Sequence, residues 1–139
     1  MLIGNQRFNR YAWLRSEEEV LILAFLQGAV YAWCNQHHDA PFAARHFVGL
    51  DNRVWQGTPL IILYNHYRNL HPNRSNRYAI NQAGRALGHL LKRVIVEDKR
   101  LFTTDVRARV RHYSCIWPPQ DRQDHTPIWQ RVFFERLGA

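Results

Sequence analysis

The chain has 139 residues, 46% of them hydrophobic and 13% aromatic, and its 19 Lys and Arg against 11 Asp and Glu give a formal charge of +8. That length holds one domain around one core, and the composition excludes a disordered tail, a collagen-like repeat and a low-complexity linker. Two cysteines exclude a disulfide-rich scaffold, and neither a membrane-spanning apolar run nor a cleavage-type leader pattern is seen.

Ser16-Glu17-Glu18-Glu19 reads as a capping box, a Ser at the N-cap with a Glu three residues on. The run from Val20 to Trp33 is apolar on nearly every face, which predicts a central core helix over 17–36. Asp39-Ala40-Pro41 breaks it, and 42–48 reads as a short helix ended by Gly49. The polar loop 50–57 carries Trp55 beside Arg53 and Gln56, which makes it the candidate exposed aromatic, fit to stack on a base or anchor a partner.

Thr58-Pro59 is a helix start, and Leu60, Leu63, Tyr64 and Tyr67 form one apolar face, so 58–70 is a second helix. A polar turn, 71–77, leads to a third helix over 78–96 with Ile80, Ala83, Leu87, Leu90, Leu91 and Val94 inward. Gly84 and Gly88, four apart, read as a close approach of two helices. Residues 105–113 stay ambiguous. As a strand they put Arg107, Arg109 and Arg111 in one row; as a helix they stack Val106, Val110 and Tyr113. A short closing helix is expected over 128–137. Cys34 and Cys115 lie far apart with no CxxC and read as two reduced thiols of a cytoplasmic protein.

The charge is uneven. The window 74–111 holds ten basic and three acidic residues, a net +7, while 112–139 is neutral. Arginine supplies 17 of the 19 cations, and its planar fork suits phosphate and carboxylate. No pattern for chemistry accompanies this charge. Neither HExxH, a zinc-type Cys/His spacing, a GxSxG elbow nor a glycine-rich phosphate loop occurs, so no enzyme, metal or cofactor is expected. His37, His38, His66 and His71 read as surface or helix-end histidines.

The helices 58–70 and 78–96 with their turn fit a helix-turn-helix pair. Asn81, Gln82 and Arg85 then take the base-reading positions, with Arg74 and Arg77 on phosphates and Lys92, Lys99 and Arg100 following the backbone; His89 on the same helix is a further nucleic-acid-binding candidate. Leu63-Tyr64-Asn65-His66-Tyr67 through Ala83-Gly84-Arg85-Ala86-Leu87-Gly88-His89-Leu90-Leu91 resembles the winged-helix DNA-binding modules of phage-type primase-helicases. The resemblance implies DNA binding by Arg85 and its neighbours, and a β wing near 101–116 carrying Arg107, Arg109 and Arg111.

The expectation is therefore a mainly α single-domain bundle, with 1–57 an apolar helical core, 58–116 the basic part and 117–139 a closing segment. Its expected partner is nucleic acid, DNA ahead of RNA, in a protein of phage or mobile-element type. A protein-interaction module or inhibitor, binding an acidic surface or a partner's nucleic-acid site, is the alternative. No membrane partner is expected, and a homodimer stays open.

Overall fold

A computed structural model describes residues 11–37, 39–49, 54–116 and 136. Helix α1 spans Ser16–Gln36. Its cap sits one residue earlier than the sequence suggests. The Arg15 N–H donates to the Glu18 carboxylate at 3.2 Å, and Ser16 is already helical. Glu19 is thereby released from capping and turns inward. It accepts from Arg93 and, at 3.3 Å, from Arg136. Nor is α1 buried all round. Ile22, Leu23, Leu26, Val30 and Cys34 face the core, while Leu21, Gly28 and Ala32 are exposed.

A 3-10 turn, Ala44–Phe47, stands where a short helix is expected. Helix α2 spans Ile61–Leu70 and α3 spans Asn76–Glu97. The start of α2 is late because Thr58 organises a preceding turn. Its hydroxyl donates to the Trp55 carbonyl at 3.1 Å and accepts from the Leu60 N–H at 3.2 Å. Ser75 caps α3, its hydroxyl accepting from the Tyr78 N–H at 3.2 Å. The inner face of α3, including Ala83, Leu87, Leu90, Leu91 and Val94, packs against α1 and α2.

The ambiguous stretch resolves as a hairpin, which removes the helical option. Strands β1 (Phe102–Arg107) and β2 (Val110–Cys115) pair antiparallel, with Phe102 opposite Cys115 and Arg107 opposite Val110. The two-residue turn is Ala108-Arg109, both at positive φ (50° and 64°). Such a turn matches the twist of the strands but normally selects Asn and Gly. The turn also breaks the expected arginine row. Arg111 shares a face with Tyr113 and Thr104. Arg107 lies on the opposite face, where it meets Asp105 at 3.1 Å.

Two ties fix this hairpin to the helices. Phe42 and Tyr113 exchange backbone hydrogen bonds, each 2.8 Å, so 42 adds a bridge to the edge of β2. Cys34 and Cys115 form a disulfide with Cα atoms 6.0 Å apart, which corrects the reading of two free thiols. It joins the last turn of α1 to the end of β2 across 81 residues of sequence. Breaking it with a Cys34→Ser/Cys115→Ser pair is expected to cost about 2–4 kcal/mol, because the unfolded chain regains a long open loop. Melting with and without reductant, beside thiol labelling of the native protein, measures this. Two readily labelled thiols in unreduced protein would contradict it. In a reducing cytoplasm the same pair would be held as thiols.

Among the described residues, no helix is long and apolar enough to cross a membrane. The closing helix expected over 128–137 lies outside the described residues apart from Arg136, and His38 lies outside them also.

Candidate functional site

The outer face of α3 is polar and glycine-bearing. Arg77, Asn81, Gly84, Arg85 and Gly88 recur at i, i+4, i+7, i+8 and i+11, so they share one side of the helix. That side forms one bank of a groove of about 1340 Å³. The hairpin supplies Arg109, Val110, Arg111 and Tyr113, and the 3-10 turn adds Ala44 and Arg45. The loop 54–56 and α2, through Ile61 and Tyr64, complete the lining.

Among the described residues, five arginines line this groove and no Asp or Glu does. Four of the five, Arg77, Arg85, Arg109 and Arg111, come from the basic window. The fifth, Arg45, lies outside that window and was not legible as a site residue. Its Nε is buried with no hydrogen-bond partner. Tyr113 is a neutral wall, because burial pushes its phenol up to about 12 despite the opposing charge of Arg111. Arg111 is steadied by a hydrogen bond from its Nη1 to the Thr104 hydroxyl at 3.3 Å.

Trp55 is a wall and not an exposed anchor. It is 2% exposed. The chain turns back at Gly57, whose φ is +83°, and Thr58 holds the Trp55 carbonyl. The indole therefore lies near-parallel to the Tyr64 ring, with centroids 6.3 Å apart. Gly88 also departs from its expected role. A Cβ there would meet nothing within 4 Å, so no neighbouring helix requires the glycine, and its open side faces the groove.

The remaining cations have other surroundings. Arg93 and Arg100 are structural. Arg93 pairs with Glu19 inside the fold, and Arg100, 5% exposed, bonds the Asp98 carboxylate at 3.2 and 3.3 Å. Arg100 therefore does not follow an external phosphate backbone as its position in the sequence suggests. Arg74 lies over the Tyr78 ring at 4.1 Å and, like Gln82, His89, Lys92 and Arg107, is not part of the groove lining. Gln82 and His89 leave α3 on the flank beyond Arg85.

That other flank receives residues 11–14. The Tyr11 hydroxyl hydrogen-bonds Nδ1 of His89, and the Trp13 ring stacks on His66 with centroids 3.5 Å apart and planes 3° apart. Burial holds both histidines below the usual value of 6.5; Lys92 and Arg85 add to the effect at His89. Folding therefore favours the neutral rings. Their contribution to stability is whole above pH 6.5 and is lost as the pH falls through the lowered folded values. Melting between about pH 8 and pH 5 is expected to show that loss, reduced in a His66→Gln/His89→Gln variant. An equally steep decline in both proteins would contradict it.

No protein-family model, curated protein or solved structure matches this chain.

Proposed function

We propose that this chain is a small basic nucleic-acid-binding protein, DNA ahead of RNA, and that the groove beside α3 is its binding surface. The observation that carries the reading is the set of five arginines around one groove with no carboxylate among the described lining residues. Guanidinium groups grouped without internal partners of opposite sign favour a polyanion, and phosphate oxygens match their planar donor fork. Asn81 adds a side-chain amide able to bond a base edge. On this reading α2 and α3 are the helix-turn-helix pair, and the hairpin over 102–115 takes the place of the wing in the winged-helix resemblance.

The test is binding of the full chain to random-sequence DNA in rising salt. The reading requires measurable affinity at low salt that falls steeply as salt increases. Absence of binding at low salt overturns it in favour of a protein-interaction module or inhibitor that docks an acidic partner.

A further inference from the structure

The rim and the floor of the groove differ in chemistry. The rim is arginine. The floor is apolar: Ile61, Ile80 and the Tyr64 ring are partly exposed there, and Leu87, Leu91 and Tyr113 lie buried behind them. Val54, 59% exposed, lies at the same groove. Phosphate binding alone makes no use of such a floor. A duplex presents its phosphates on a convex cylinder and keeps the faces of its bases stacked inside. An unpaired strand offers both chemistries at once, since each base has an apolar face free to stack on aromatic and aliphatic side chains.

We infer that the groove takes an unpaired nucleic-acid strand, its bases on the apolar floor and its phosphates on the arginine rim; this rests on the nucleic-acid reading above. The volume agrees, because about 1340 Å³ exceeds the roughly 300–1,000 Å³ of a small-molecule pocket and suits a stretch of polymer. The glycines agree as well. Gly84 and Gly88 leave the α3 bank without side chains beside the floor, and the space at Gly88 is open. Arg45, from the 3-10 turn, brings to the same groove a cation with a buried unpartnered nitrogen. Stacking of this kind accepts any base, so sequence preference is weak.

The experiment compares a labelled oligothymidylate with a hairpin duplex of equal phosphate number, using the full chain at low salt. The wild type binds the single strand about tenfold more tightly or better. Gly88→Leu tests the floor. Leucine is the better helix former and its Cβ meets nothing within 4 Å, so the variant is expected to fold, and its melting temperature checks this. Its single-strand affinity nevertheless falls about tenfold or more, because the side chain occupies the place of a base. Arg45→Gln, which leaves the floor intact, also weakens the single strand. Duplex binding as tight as single-strand binding overturns the inference and leaves the nucleic-acid reading in place. So does undiminished single-strand affinity in folded Gly88→Leu. Failure of both probes to bind removes the two together.

Discussion

Replacing Asp98 with Ala is expected to destabilise the fold by about 3–5 kcal/mol. Asp98 is fully buried at the end of α3. One carboxylate oxygen accepts from the Arg100 N–H at 2.8 Å and from its Nε at 3.2 Å. The other accepts from Gln27 Nε2 at 2.6 Å and from Arg100 Nη2 at 3.3 Å. The Arg100 guanidinium lies 4.5 Å over the Tyr31 ring, so α1, α3 and the entry to β1 meet at this one acid. Its removal takes away the carboxylate that a buried guanidinium and the Gln27 amide share, and the Oε1 of that amide already lacks a partner. A loss of that size consumes a large share of the ~5–15 kcal/mol that holds a typical domain together. Denaturant unfolding measures it. An Asp98→Ala/Arg100→Met double variant is expected to recover part of the loss, since the buried charge that Asp98 faced goes with it. Equal losses in single and double variants would contradict this account of the cluster.

The second large effect concerns the groove. An Arg85→Ala/Arg109→Ala/Arg111→Ala variant and an Arg74→Ala/Lys92→Ala/Arg107→Ala variant lose the same formal charge. If net charge alone attracted the polyanion, the two would weaken alike. The groove account separates them. The first set removes three of the five lining arginines, while none of the second set lines it. Taking about 1–2 kcal/mol for each charge-assisted contact, the first variant loses roughly 100-fold or more at low salt. The second loses only a few-fold, the share owed to long-range attraction. Affinity measured for both at one salt concentration decides the matter, and equal losses would move the interface away from the groove.

Much of the helical scaffold was legible because its signals are local. The glutamates after Ser16 and the apolar spacing of α3 depend only on nearby residues. The hairpin was only half legible. Val, Arg and Ala alternate through 106–111 in a way that suits a strand, yet the turn falls on Ala108-Arg109, where no Gly or Asn marks it. The price of positive φ at two ordinary residues is met by ties elsewhere, through Phe42 and the disulfide. Those ties were illegible because pairings across long separations leave no periodic trace. For the same reason Cys34 and Cys115 gave no sign of proximity.

The site was legible as charge but not as shape. Four groove arginines belong to the basic window, yet the window also contains Arg93 and Arg100, whose acidic partners Glu19 and Asp98 face the core. Counting charges cannot distinguish a buried pair from a free rim. Arg45 escaped notice because it is the single Arg or Lys of the mostly apolar segment 42–48. Trp55 misled for the opposite reason. Its loop is mostly polar, but Gly57 and Thr58 fold it so that the ring is buried.

The most direct measurement is the salt dependence of single-strand binding by the wild-type chain. Five arginines, each holding one phosphate, give a slope of log affinity against log salt of about −3.5. A fourfold rise in salt then weakens binding about 100-fold. A slope near zero, with affinity retained at high salt, would show that the lining arginines do not hold phosphates.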